Sequence, residues 1–125
     1  MSHLRRLVGI AVAAALALAL AACTTSGSGS SAGAGEPVAT STVDLPPSYR
    51  FEPKAIAVSP GTTVSWTNHD NFTHSVQFLD GGLPTEPMLM KPSENATFTF
   101  ATAGTYRYQC SLHPQNMQGT VTVTP

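Results

Sequence analysis

Hydrophobic and polar residues alternate in six short runs between residues 55 and 124. Side chains that share a face at every second position are typical of a β-strand with one buried face. The alternation predicts strands at Ala55–Val58, Thr62–Asn68, His74–Leu79, Ala96–Ala101, Thr105–Cys110 and Thr120–Thr124. A weaker pattern adds edge strands within Glu36–Val43 and Tyr49–Phe51.

Turn residues separate these runs, and none of the runs has the apolar period of a helix. At least six short strands in one stretch of chain indicate an all-β fold, a β-sandwich. The pattern is compatible with a small helix only between Leu83 and Lys91.

The first 22 residues have a different pattern. Two basic residues, Arg5 and Arg6, precede an apolar run from Leu7 to Ala22, which is the order of parts in an export signal. The residues LAAC that end at Cys23 resemble the lipobox of bacterial lipoproteins, which implies cleavage before Cys23 and attachment of lipid to its thiol. An ordinary secretory signal and a single membrane-spanning anchor are the alternatives, although the apolar run is shorter than the ~20 residues of a typical span.

Ser, Gly, Thr and Ala dominate the next segment, which is too polar to form a core and is predicted to be a flexible linker. The expected organisation is a lipoprotein signal peptide at residues 1–22, a lipidated cysteine and linker at 23–36, and one folded domain at 37–125. We expect the mature protein to be lipid-anchored on the extracytoplasmic side of the bacterial cell membrane, either periplasmic or at the cell surface.

Length and charge exclude some classes of function. A chain of 125 residues allows one domain and excludes a large enzyme. Beyond the predicted signal there are four basic and seven acidic residues, a net charge of −3. Because no basic stripe is present, nucleic acid is not an expected partner.

The period of two also predicts which side chains point inward. One inward face carries Tyr106, Tyr108 and Cys110. A second, apolar face carries Phe72, His74, Val76 and Phe78, and we identify no acidic residue near His74 on it. Alone, His74 would be interpreted as a core histidine bonded to a backbone carbonyl.

Three further potential metal donors change that interpretation. Cys110, His113 and Met117 lie within eight positions of one another, and His74 points inward from another strand. A thiolate, two imidazoles and a thioether are the donor set of a blue-copper site, with a weak axial methionine. Once Cys23 carries lipid, Cys110 is the one cysteine left, and metal ligation or deep burial would protect it from oxidation.

Two stretches, YRFEPKAIAVSPGTTVSWTNHDNFTHSVQF and GTYRYQCSLHPQNMQGTVTV, resemble the plastocyanin-like cupredoxins, in particular small bacterial proteins similar to plastocyanin, amicyanin and pseudoazurin. The resemblance covers residues 37–125. It implies a Greek-key β-sandwich with one type 1 copper ion that cycles between Cu(II) and Cu(I) and shuttles single electrons between redox partner proteins. By position it implies four copper ligands, His74, Cys110, His113 and Met117.

Two departures from the family pattern affect the tuning of the site. Three residues separate His113 from Met117, a spacing between those of amicyanin and plastocyanin. The distance from copper to the axial Met117 and the reduction potential therefore cannot be inferred from either relative. Ser75 follows His74 where plastocyanin often has asparagine, which predicts weaker bracing of the ligand loop by Ser75 and Ser111.

The electron-transfer surface is predicted around the edge of the His113 ring, with Leu112 and Pro114 forming a small apolar patch. Leu83 and Pro84 are further candidates for this patch. The three histidines left after the signal are too few for a second copper site, so we expect a monomeric electron carrier and no enzyme.

Other residues are interpreted as structural. His69 is expected to be a solvated loop histidine, and Met88 and Met90 to be packing residues rather than a copper-scavenging pair. Three aromatic residues, Trp66, Phe98 and Phe100, are expected in the core. The alternatives to an electron carrier are a lipoprotein for copper delivery or storage and a metal-free recognition module.

Overall fold

The structure, a computed structural model, describes residues 35–125 of the chain. These residues form nine strands and no helix. The strands are β1 (Val38–Ala39), β2 (Thr42–Leu45), β3 (Ala55–Val58), β4 (Thr62–Asn68), β5 (His74–Phe78), β6 (Met88–Met90), β7 (Asn95–Phe100), β8 (Gly104–Gln109) and β9 (Gln118–Val123). No helix long and apolar enough to cross a membrane is present in residues 35–125.

Two sheets make up the fold, which confirms the predicted β-sandwich. One sheet has six strands in the order β1-β3-β9-β8-β5-β6, and the other has three in the order β2-β4-β7. The core between them contains large, fully buried side chains from both sheets, among them Trp66, Phe100, Tyr108 and Ile56. Trp66 contacts Tyr108 edge to face with ring centroids 5.4 Å apart, so aromatic packing joins the two sheets.

All six runs predicted as strands form strands: two have the predicted ends, and the ends of the other four differ by one or two residues. The Glu36–Val43 prediction becomes two strands, β1 in one sheet and β2 in the other. Tyr49–Phe51 is not a strand: Ser48 and Tyr49 have positive φ angles of 152° and 55°, and only Glu52 forms an isolated bridge, with Asp44. No helix forms between Leu83 and Lys91, where two prolines interrupt the chain and β6 pairs with β5 instead.

The topology brings three chain segments to one end of the six-stranded sheet. β5 and β8 are antiparallel, and so are β8 and β9. The start of β5, the end of β8 and the start of β9 therefore share one end of the sheet, which we call the metal end after the donors described below. β1 and β3 run parallel to β9, so they too start toward the metal end, and Gly35 lines a groove together with Gln118.

Candidate metal centre

Three potential ligand side chains converge at the metal end. His74 is the first residue of β5, Cys110 directly follows β8, and His113 lies in the loop between β8 and β9. One donor atom from each lies within 4.8 Å of the other two. Cys110 Sγ is 3.9 Å from His74 Nδ1 and 3.7 Å from His113 Nδ1. No other group of three such residues is found in residues 35–125.

Backbone hydrogen bonds fold the loop that carries His113 and Met117. The N–H groups of Asn116 and Met117 donate to the His113 carbonyl, and the His113 N–H donates to the Cys110 carbonyl. The Cys110 N–H donates to the Met117 carbonyl at 3.0 Å, which closes the loop where β8 and β9 pair. Met117 therefore returns beside Cys110, and its side chain is fully buried.

Burial distinguishes the two histidines. His74, Cys110 and Met117 have no exposed surface, whereas His113 is half-buried. A shallow pocket at His113 is lined by Pro114, Gln115 and Asn116. The centre is therefore reached from solvent on the His113 side.

Ser75 braces the ligand loop through hydrogen bonds to Cys110 and Ser111. Its N–H donates to Cys110 Sγ at 3.4 Å, and its Oγ accepts from the Ser111 N–H at 2.8 Å. The two serine hydroxyl oxygens are 2.8 Å apart. Ser75 thus ties β5 to the ligand loop, because the two segments lie close enough for a short side chain.

An acidic residue contacts His74, although the sequence analysis identified none there. Asp70 Oδ2 is 2.9 Å from His74 Nε2, and both side chains are buried. The hydrogen bond from His74 holds the pKa of the Asp70 carboxyl below its ordinary value, against the opposing effect of burial. An ionised carboxylate only accepts hydrogen bonds, so His74 Nε2 donates to Asp70, and Nδ1 is the ring nitrogen that faces Cys110.

Phe72 does not share the buried face predicted for it. The residue precedes β5 in a loop and is 57% exposed, because the period of two applies only once the strand begins at His74. Its ring stacks on Tyr49 with centroids 6.0 Å apart. Tyr49 also contacts the rings of His113 and His74, at 4.7 and 5.8 Å. Tyr49 thus lies against both histidine rings, and Phe72 packs on Tyr49.

The positive-φ turn that positions Tyr49 is held by a polar network. The Arg50 guanidinium donates to Glu52 at 2.8 Å and also contacts Ser48. Sequence reasoning missed Tyr49 because an edge strand was expected there. The diproline at Pro46 and Pro47 was the signal in the sequence against a continuous strand.

The family model for copper binding proteins of the plastocyanin/azurin family matches residues 40–124. The chain belongs to this family. A plastocyanin from Scenedesmus fuscus is 36% identical over 83 residues, which are 58% of this chain and 85% of that protein. Amicyanin from Paracoccus denitrificans is 36% identical over 77 residues, 59% of this chain and 58% of amicyanin.

Solved structures support the same family membership. A purple cupredoxin from Nitrosopumilus maritimus superposes with a TM-score of 0.60 at 28% identity, over 68% of this chain and all of that one. The predicted cupredoxin fold is therefore confirmed.

The donor set of this plastocyanin/azurin family member fits a metal ion. Bonds of about 2.3 Å to sulfur and 2.0 Å to nitrogen place two ligand atoms of one ion roughly 3.5–4 Å apart. The sulfur-to-nitrogen distances of 3.7 and 3.9 Å agree with this range. Thiolate and thioether ligands alone suit copper, zinc and iron–sulfur clusters, whereas two histidines and a cysteine with a weak axial methionine are the donor set of a blue-copper site.

The structure agrees with the predictions for His69, Met88 and Met90 and differs from the prediction for Leu83. His69 is an exposed loop residue, as expected, with Nδ1 3.6 Å from an Asp44 carboxylate oxygen. Met90 is fully buried and Met88 is half-buried, which agrees with packing and not with an exposed copper-scavenging pair. Leu83 packs near Phe98 at the opposite end of the sandwich, so its predicted place beside His113 is wrong.

Proposed function

We propose that the protein holds one type 1 copper ion through His74, Cys110, His113 and Met117 and carries single electrons. The convergence of one thiol and two imidazole Nδ1 atoms within 4.8 Å is the observation that carries the proposal. As a member of the plastocyanin/azurin family, the protein is an electron carrier and not an enzyme.

Copper, when bound, would supply a one-electron couple between Cu(II) and Cu(I). The chain contributes a fixed arrangement of donors. His74 is held by β5 and Asp70, and Cys110 is held by the Met117 carbonyl and by Ser75. These contacts limit the movement of the ligands, and burial of Cys110 keeps water away from the thiol.

Metal analysis combined with absorption spectroscopy tests the ligand set. We expect residues 37–125, expressed as a soluble domain and given Cu(II), to bind one equivalent and to turn intensely blue or purple through thiolate charge transfer. Cys110→Ser should lose the colour while the metal-free domain stays folded. A colourless wild-type complex would refute the type 1 assignment.

We further propose that His113 and the adjacent residues Leu112 and Pro114 form the surface for electron transfer. Leu112 is 51% exposed and Pro114 is exposed, beside the one ligand ring that approaches solvent. Tyr49, whose ring contacts His113, and Phe72, which stacks on Tyr49, add partly exposed aromatic surface beside the same ring. A small apolar surface suits a redox partner protein that docks briefly. We expect the protein to act as a monomer.

Export and membrane attachment are proposed from the sequence alone, because Cys23 and residues 1–34 lie outside the described residues. Cleavage after residue 22 and lipidation of Cys23 would anchor the domain at residues 37–125 to the extracytoplasmic face of the membrane. Cys23→Ala should then move the protein from the membrane fraction to the soluble extracytoplasmic fraction. Recovery of the unaltered protein in the soluble fraction would rule out the anchor.

A further inference from the structure

Asp70 is a buried carboxylate with both oxygens engaged. Its side chain is 5% exposed. Oδ2 accepts the hydrogen bond from His74 Nε2 at 2.9 Å, and Oδ1 accepts the backbone N–H of Asn71 at 2.7 Å. Arg and Lys side chains of the described residues form no ion pair with it. The negative charge of Asp70 therefore lies beside His74 of the candidate metal centre and is not neutralised by a lysine or arginine of the described residues.

Asn68 holds the loop that aims Asp70 at His74. Asn68 is fully buried at the end of β4, and its Oδ1 accepts the Asp70 N–H at 2.9 Å. Its Nδ2 donates to the carbonyls of Phe72 and Met90 at 2.7 and 3.0 Å. One side chain thus joins both ends of the Asp70 loop to β6, and the carboxylate is preorganised before any metal binds.

We propose that Asp70 is a positioning residue that fixes the tautomer and orientation of His74 and lowers the reduction potential of the centre through its negative charge. This proposal rests on the proposed role of His74 as a ligand. A carboxylate that accepts the second ring N–H of a metal-bound histidine orients the ring and makes it a stronger donor.

The expected effect on the reduction potential follows from the negative charge of Asp70. The oxidised site carries one more positive charge than the reduced site, so a nearby fixed negative charge favours the oxidised state. Because Asp70 is buried, water and salt screen its charge less than they screen a surface carboxylate. The shift should therefore depend only weakly on ionic strength.

Three variants separate the charge from the hydrogen bond. Asp70→Asn keeps the size and one acceptor oxygen but removes the charge, whereas Asp70→Ala removes both. Asp70→Glu restores the charge on a longer side chain. Glu86→Gln removes one charge from an exposed loop residue and serves as the control for net charge.

The metal-free protein gives the first readout, because it does not depend on the ligand assignment. Long-range ¹H–¹⁵N correlation spectra at alkaline pH, where imidazoles are neutral, should show His74 protonated only on Nε2 in the wild type. Asp70→Ala should show a mixture of the two tautomers. A wild-type His74 protonated on Nδ1, or an unchanged tautomer in Asp70→Ala, would overturn the positioning role.

The reduction potential of the copper-loaded protein gives the second readout. Asp70→Asn should retain one copper and the colour and should have a higher potential, with the ratio of Cu(I) to Cu(II) affinity raised about tenfold, or about 59 mV. Asp70→Glu should return the potential toward the wild-type value. A shift in Asp70→Asn no larger than that of Glu86→Gln would overturn the charge effect. A wild-type protein that binds no coloured copper would instead refute the proposed function, while the tautomer result would still stand.

Discussion

The ring of Tyr49 lies against the ring of His113, with centroids 4.7 Å apart and planes at 68°. His113 is also the one proposed ligand that is half-buried, so Tyr49 restrains the ligand most able to move. An edge-to-face aromatic contact of this kind contributes about 0.5–1.5 kcal/mol.

Tyr49→Ala should accelerate copper release to a chelator roughly two- to tenfold, because the contact energy with His113 is lost. Tyr49→Phe keeps the ring and should release copper at the wild-type rate. Stopped-flow chelation monitored through the charge-transfer band measures both. Equal rates for Tyr49→Ala and the wild type would show that Tyr49 does not restrain His113.

Leu112→Asp should slow electron exchange with a redox partner by about tenfold, since a charge placed in an apolar docking surface must be desolvated. The spectrum and the copper affinity should not change. Leu79→Asp is the matched control, because Leu79 is 43% exposed and follows β5 at the end of that strand away from His74. Equal slowing by both substitutions would place the docking surface elsewhere.

Met117→Leu should retain copper and raise its reduction potential. The weak axial donor stabilises Cu(II) more than Cu(I), so its loss destabilises the oxidised state. Leucine fills the same buried volume, which keeps the fold intact. Voltammetry measures the potential, and loss of copper from this variant would mean that Met117 is a strong ligand.

Gly119→Ala should lower the free energy of unfolding by about 1–3 kcal/mol, the cost typical of an overpacked core. A Cβ atom at Gly119 would overlap the ring of Tyr108, which is fully buried and cannot move aside. Gly81→Ala is the control, because nothing lies within 4 Å of a Cβ there. Denaturant unfolding of the metal-free protein measures both, and equal stabilities would show that the core accommodates the methyl group.

Acid should weaken the fold partly through Asp80. Hydrogen bonds from the side chain and backbone of Arg107 hold the pKa of Asp80 below its ordinary value of 3.8. The ionised carboxylate therefore stabilises the native state above that pH, and this contribution is lost as the pH falls through the lowered pKa. Asp80→Asn should show a smaller loss of unfolding free energy than the wild type between about pH 5 and pH 2. Identical acid dependence in the two metal-free proteins would contradict this role.

Alternation was sufficient to predict the six main strands, and with them the inward direction of His74 and Cys110, but not β6. Both residues lie at a strand end, where the period of two still fixes the face of the sheet. The loop donors followed from residue type, because an imidazole at His113 and a thioether at Met117 are potential copper ligands close to Cys110 in the sequence.

Contacts set by irregular backbone could not be predicted in this way. Asp70 reaches His74 because Asn68 makes three hydrogen bonds that bend the loop, and no periodic pattern encodes them. Tyr49 reaches His113 through a turn with positive φ angles. The need for glycine at position 119 depends on the register that pairs it with Tyr108, which only the assembled sheet specifies.

The direction of β1 bears on where electrons are exchanged. Since β1 starts toward the metal end, Gly35, which precedes it, lies toward the same end beside Gln118. The eleven residues between Cys23 and Gly35 have the composition of a flexible linker, which would span roughly 17–20 Å on average. An anchor at Cys23 would thus keep the His113 surface within a short radius of the bilayer. Redox partners embedded in the same membrane would then reach the His113 surface by lateral diffusion. The protein would act as a tethered electron carrier rather than as a freely diffusing one.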